Sequence, residues 1–287
     1  MMNLIAASAF VFLAATQQNP PPPAGTGEQG QTQATAPAQT TQPDDKAVNP
    51  SQPDFTVIGL PTTLRIPRFR SSFRVTHRFT RPLGRGDFGD LVSDFFGFDS
   101  GAQIGLEYRF GITAGTQIGI HRTSDRTIEF FLQRQVFQQG GRSPVGVDAL
   151  ASAEGTNNFR DSYSPSLGAV ISRTLGRHGA VYVEPIWVNN TNPLPSEVVD
   201  HNDTFILGLA GRVRIRSTVY AAAEVVPRFG FKPNTTYASF AIEKRAGGHL
   251  FQINFSNGIG TTLAQIARGG VTSDTWYIGF NISRKFF

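Results

Sequence analysis

The stretch "DTWYIGFNISRKFF", residues 274–287, decides how the chain is read. From Trp276, one face carries Trp276, Ile278, Phe280 and Ile282, while the other carries Tyr277, Gly279, Asn281, Ser283 and Lys285. Alternation with a period of two is the pattern of a β-strand. A soluble domain usually finishes in a polar, frayed tail, but here Phe286 and Phe287 still belong to a strand with an apolar side.

The same texture runs back through the chain. In "QIGLEYRF" (103–110), Ile104, Leu106, Tyr108 and Phe110 oppose Gln103, Glu107 and Arg109. In "TIEFFLQRQV" (127–136), Ile128, Phe130, Leu132 and Val136 oppose Glu129, Phe131, Gln133 and Gln135. In "TFILGLAGRVRI" (204–215), Phe205, Leu207, Leu209, Val213 and Ile215 oppose Gly208, Ala210, Arg212 and Arg214. "VYAAAEV" (219–225) and "LFQINF" (250–255) repeat it. Composition agrees: 24 Phe and 30 Gly suit strands and tight turns better than helices.

Two architectures bury one face of such strands. A sandwich or lipocalin-like barrel turns the apolar face inward, and a membrane barrel turns it out toward lipid around a polar lumen. The turns decide. "FGITAG" (110–115), "LGRHG" (175–179), "RIRS" (214–217) and "RAGG" (245–248) are tight, and the connections between them are mostly long: 82–99, 155–163, 189–203, 228–235 and 257–274. Short turns at one end and long loops at the other are the signature of an outer-membrane barrel.

The expected fold is therefore all-β, a single closed up-and-down antiparallel transmembrane barrel of about twelve strands. The strands fall near 68–80, 102–110, 115–122, 126–137, 144–153, 164–174, 179–188, 204–215, 217–227, 236–245, 248–256 and 275–287. An even count puts both termini of the barrel chain on the short-turn, periplasmic side.

Ahead of the barrel, "LIAASAFVFLAAT" (4–16) is too short to span a bilayer and reads as the apolar core of a secretory signal over 1–16. Residues 17–54 are rich in Pro, Gln and Thr with no apolar periodicity, which predicts a disordered linker. The barrel is assigned to 55–287. Residues 1–54 contain Glu28, Asp44, Asp45 and Asp54 against Lys46 alone, so the net charge of +5 becomes +8 over the remainder. The Arg residues are scattered rather than clustered, which argues against nucleic acid as a partner. Cysteine is absent, excluding disulfides, thiolate nucleophiles and thiolate metal sites.

The closing strand resembles the signal read by the barrel-assembly machinery of Gram-negative outer membranes, carried by Trp276, Ile278, Phe280, Ile282, Phe286 and Phe287. Phe286, not Phe287, is in phase with the apolar face, and Arg284 interrupts it. The region from Phe73 onward also resembles a family of predicted outer-membrane barrels defined only as a domain of unknown function. The resembling stretches are "HRFT" (77–80), "DFFGFDSGAQIGLEY" (94–108), "GGHLFQINFSN" (247–257) and "GFNISRKF" (279–286). That resemblance implies a barrel and brings no catalytic residues.

No enzyme chemistry stands out. The histidines, His77, His121, His178, His201 and His249, lie too far apart for a short-spaced metal site. None is part of a His-x-Ser arrangement like that of a barrel phospholipase, and no phosphate-cradling loop occurs. No catalytic residue, metal or cofactor is expected. Interest lies in the lumen-facing charges: Arg74, Arg78, Arg109, Arg212 and Arg214 against Glu107, Glu129, Glu184, Glu224 and Glu243. Opposed charged rows in a narrow barrel restrict passage. The segment 86–101 is the expected inserted loop, with Leu91, Phe95 and Phe98 at helical spacing. The sequence thus points to a narrow channel for small solutes or ions in the cell outer membrane, with lipid and the assembly machinery as partners. The alternatives are a structural or adhesion barrel with a plugged lumen and, further off, a membrane-embedded hydrolase.

Overall fold

The computed structural model describes residues 49–287 apart from 196, 199 and 200. The expected signal segment and the linker as far as 48 lie outside the described residues.

The strands are β1 (Ser71–Phe79), β2 (Ala102–Thr113), β3 (Thr116–Thr123), β4 (Ile128–Phe137), β5 (Gly146–Gly155), β6 (Asp161–Thr174), β7 (Gly179–Val188), β8 (Thr204–Arg216), β9 (Val219–Val226), β10 (Arg228–Phe229), β11 (Tyr237–Ala246), β12 (His249–Ser256) and β13 (Tyr277–Phe286). Twelve of them form a closed antiparallel barrel, and β10 continues β9 past Pro227, pairing Arg228 with Ile206. Pro has no N–H for the ladder, so the strand is interrupted at that point. Closure comes from β1 against β13, in register from Ser71↔Phe286 to Arg78↔Gly279. A closed ring leaves no open edge in lipid.

Burial runs opposite to that of a soluble protein. On β13 the polar-side residues Tyr277, Gly279, Asn281, Ser283 and Lys285 are buried, while Ile278, Phe280 and Ile282 face outward and are only partly covered. Elsewhere Leu106, Phe130, Leu132, Leu209, Phe240, Ile242, Phe251 and Ile253 are exposed, whereas Glu107, Glu129, Gln133, Arg212, Glu243 and Gln252 are buried. Aromatics mark both margins of this apolar band. Phe240 stacks on Phe255 at 5.0 Å and meets Trp276 at 5.6 Å near the long-loop end. Phe69 and Phe110 pair at 6.4 Å near the short-turn end. Such girdles belong at membrane–water interfaces.

Three expectations are corrected. The first strand begins at Ser71 rather than 68, because Pro67 and a left-handed Phe69 (φ 61°) end the preceding segment first. Residues 50–66, expected to be the end of the linker (to 54) and the start of the barrel region ahead of the first strand, are instead mostly buried inside the barrel. The loop 86–101 does not enter the lumen: its helix Phe88–Ser93 has no buried residue, and Phe88 and Phe95 are exposed. The interior is already filled by other segments.

Candidate functional site

The inserted segment is a small hairpin. Thr62 N–H donates to the Phe55 carbonyl (2.8 Å), Val57 N–H to the Leu60 carbonyl (2.8 Å), and Thr56 bridges Pro61. The chain turns back at Ile58–Gly59, which directs three successive backbone N–H groups the same way. All three meet the Glu224 carboxylate: Ile58 at 2.6 Å, Gly59 at 3.0 and 3.1 Å, and Leu60 at 2.9 Å. Such an N–H nest holds an anion without needing a basic side chain.

The wall holds the hairpin mostly by its backbone. Arg212 donates to the Thr56 and Val57 carbonyls (2.8 and 3.1 Å), and Gln252 donates to the Val57 carbonyl (2.7 Å). The Ile58 carbonyl accepts from Arg74 (3.1 Å) and Asn281 (2.9 Å). Gln133 donates to the Thr62 carbonyl (2.7 Å), and Lys285 donates to the Pro53 carbonyl. The Asp54 carboxylate accepts from Ser283 at 2.6 Å. A buried backbone amide or carbonyl is costly unless bonded. The wall therefore supplies what the hairpin, being outside the sheet, cannot supply for itself.

A second segment descends from the long-loop end. Residues 257–270 contain the helix Leu263–Ala267, with all five residues buried and a capping box formed by Thr262 and Gln265. Thr262 Oγ1 also donates to Glu154, Gln265 donates to Asp125 (3.1 Å), and Arg228 donates to the Ala267 carbonyl (2.8 Å). The two segments meet inside the barrel. A Cβ added at Gly59 would lie 2.6 Å from Ile266 Cδ1, closer than side chains pack. Val57, Ile58, Leu60, Leu263 and Ile266 share an apolar cluster with Tyr182, Ile186 and Ile206 of the wall.

The hairpin and the helix therefore plug the interior from opposite ends. Among the described residues, a cavity of about 350 Å³ opens at the short-turn end beside Gln52, Thr63, Arg65 and Gln139. Deeper in, beside Glu107, His121, Glu129 and Leu263, only about 30 Å³ is free.

Arg74, Arg78, Glu107, Arg109, Glu129, Glu184, Arg212, Glu224 and Glu243 are all buried inside the ring. Glu107 takes both Arg74 and Arg109, and Arg212 forms a two-pronged pair with Glu243 at 2.7 and 2.8 Å. Arg78 donates to Asn281 (2.8 Å), and Glu129 faces the Leu263 N–H. Neither carboxylate oxygen of Glu184 has a hydrogen-bond partner among the described residues. Arg214 does not join them. It keeps the inward phase, paired with Tyr220, but lies near the end of the strand just before a register shift, so its guanidinium sits half-buried at the short-turn rim and donates to the Ser217 carbonyl (2.8 Å).

On the closing strand, Trp276 packs on Phe240, and Phe280 stacks on His77 at 4.7 Å. Ile278, Ile282 and Phe286 face outward, whereas Phe287 meets Phe55 of the hairpin edge-on at 6.4 Å.

Several groups that grip the plugs escaped the sequence reading: Asp54, Gln133, Glu154, Gln252, Asn281 and Lys285. Gln133, Gln252, Asn281 and Lys285 are visible in phase with the polar face. Thr262-x-x-Gln265 ahead of an apolar run is a legible helix start. Nothing in the strand pattern reveals that the first hairpin folds inward.

Residues 54–286 match a family described as a membrane bound beta barrel domain, DUF5777. The chain belongs to this family. Among solved structures, this DUF5777 chain is similar to the NanC porin, with a TM-score of 0.51 and 6% identity over 76% of this chain and 99% of that one. The KdgM porin, solved with disordered oligogalacturonate, gives a TM-score of 0.48 and 7% identity over 75% of this chain and 99% of that one. An active-site variant of outer membrane phospholipase A from Escherichia coli gives a TM-score of 0.45 and 8% identity over 83% and 98%. At such identities the likeness speaks to fold alone. No curated protein matches the sequence.

Proposed function

We propose that this membrane-bound β-barrel is a gated outer-membrane channel for small polar solutes, shut by its N-terminal hairpin. One observation carries the reading. Residues 54–66 contribute no rung to the barrel sheet, lie between described residues at the same mouth, and are held by wall side chains through their backbone. The hairpin can withdraw without breaking a strand pair. What it would uncover is a wall of Arg, Glu, Gln and Asn, the lining of an aqueous pore rather than of an apolar core. Glu184, with no protein partner beneath Leu60, supports the same view: a buried carboxylate is stabilised better by water than by a leucine. The reading assigns no catalytic residue, metal or cofactor. Insertion by the barrel-assembly machinery is supported by the outward Phe286 in phase with Phe280 and Ile282.

The test is solute uptake into vesicles holding the refolded chain, compared with a chain lacking residues 50–66. The full chain should admit small sugars and amino acids slowly, and the deletion should admit them at least ten times faster. A deletion variant that migrates as a folded, heat-modifiable barrel yet leaves vesicles tight would sink the channel reading.

A permanently closed structural barrel is the second reading, favoured by the apolar cluster that Ile58 and Leu60 of one plug share with Leu263 and Ile266 of the other. It expects the same low uptake from both chains.

A further inference from the structure

The loop that stays out of the lumen folds the other way. β1 alternates inward Ser72, Arg74, Thr76 and Arg78 with outward Phe73, Val75, His77 and Phe79. Phe79 should therefore be as exposed as its outward neighbours, yet it is 5% exposed. Gly97 lies across it: a Cβ there would be 3.4 Å from Phe79 Cβ and 3.2 Å from Arg81 Cβ. The segment Phe95–Ser100 thus covers the outer surface of the wall at its long-loop margin.

The loop is firmly built. Arg81, 4% exposed, donates to Asp94 (2.5 Å), to the Arg85 carbonyl (2.8 Å) and to the Pro82 carbonyl (3.2 Å). Leu83 N–H donates to the Trp276 carbonyl at 2.8 Å, tying the loop to the start of the closing strand. The helix Phe88–Ser93 is capped by Asp87 with Asp90 returning the bond. From this rigid base Phe88, Val92, Phe95 and Phe96 stand exposed, with Phe88 at 74%. A cluster of large apolar side chains held open to water needs an occupant.

We propose that the loop 86–101 is a membrane foot that lies in the interfacial zone of the lipid leaflet at the long-loop end, with Phe88, Val92, Phe95 and Phe96 among the upper acyl chains. Lipid is the occupant because the patch continues the barrel's lipid-facing band. It is joined to that band through Phe79, and it stands at the same margin as Trp276 and Phe240. Aromatic side chains favour this zone, and Asp87, Asp90 and Asp94 can remain on its watery side. The loop thereby widens the footprint of the barrel on one side, over β1, rather than narrowing its pore. The inference concerns the outer surface and does not depend on whether the lumen opens.

The chain has two tryptophans, Trp187 and Trp276. Replacing both by Phe and introducing Phe88→Trp puts a single reporter on the foot of the full chain, refolded into phosphatidylcholine vesicles. Vesicles with bromine at shallow acyl positions should quench its emission strongly, deep bromines weakly and aqueous acrylamide hardly at all. A Val92→Trp reporter in the same background supplies the readout should position 88 disturb folding, which heat-modifiable migration would reveal. Efficient quenching by acrylamide with none from brominated lipid overturns the proposal. Protection from acrylamide that disappears as protein is diluted into more lipid also overturns it, since it would place a second copy of the chain on the patch.

Discussion

The carboxylate of Glu224 on β9 closes over the backbone amide of Gly59, with its two oxygens 3.0 and 3.1 Å from that nitrogen. One oxygen also takes the neighbouring Ile58 and Leu60 amides. A wall residue thus holds the tip of a segment lying 165 residues away in sequence from it.

Removing that carboxylate leaves three buried N–H groups without an acceptor, each costing about 1–3 kcal/mol. Glu224→Ala should destabilise the seated hairpin by about 3–5 kcal/mol without opening the barrel. Trypsin cleavage after Arg65 in the folded, vesicle-bound chain should accelerate by more than a hundredfold. Cleavage at the original rate would mean that Glu224 does not hold the tip.

At Gly59 a side chain would enter the space held by Ile266 Cδ1, which would have to move aside. Gly59→Ala should cost about 1–3 kcal/mol by overpacking. Ile266→Ala in the same chain should restore most of it, so the double-mutant cycle reads the contact between the two plugs. Additive effects in thermal unfolding would show that the plugs do not touch.

Arg212 has two duties, the pair with Glu243 and the grip on the Thr56 and Val57 carbonyls. Arg212→Met alone strands a buried carboxylate, at about 3–5 kcal/mol. Arg212→Met with Glu243→Leu should recover barrel stability, measured by the temperature at which heat-modifiable migration is lost. The double variant should nevertheless leave the hairpin more open to trypsin than the parent. Recovery of both properties would show that Arg212 serves the wall alone.

Phe286 and Phe287 divide their work, one facing outward and the other meeting Phe55. Phe287→Ala should loosen the hairpin by about 1 kcal/mol, the worth of an aromatic pair, and leave barrel formation unchanged. A fall in the yield of folded barrel would contradict this division.

The wall was legible because period-two alternation is a local property of each strand, and Ile278–Phe280–Ile282 against Gly279–Asn281–Ser283 states it without help from the fold. The inward placement of Arg74, Glu107, Glu129, Arg212 and Glu243 follows from the same phase, and Arg214 keeps that phase opposite Tyr220 but ends at the rim of the ring. The plugs were harder. "TVIGLP" (56–61) carries an apolar run that would suit a strand, and what sends it inward is the match between the backbone of 56–62 and side chains on six strands, five of them far along the chain. The loop 86–101 does contain a helix, but it runs Phe88–Ser93 on the outside, and the left-handed Phe95, Phe96 and Gly97 break the Leu91–Phe95–Phe98 spacing. Helical spacing identifies a face to be covered and does not say what covers it.

If the hairpin is a removable gate, fixing it to the wall should hold the barrel shut. Thr63 Oγ1 lies 2.5 Å from Ser172 Oγ, and the chain has no cysteine of its own, so Thr63→Cys with Ser172→Cys can bolt the hairpin to the wall. Single-channel recording of that chain in the Glu224→Ala background, oxidised and then reduced in the same bilayer, gives the answer directly. The account predicts silence while the disulfide is intact and discrete openings once it is reduced. The same record before and after reduction, whether open or silent, would contradict it.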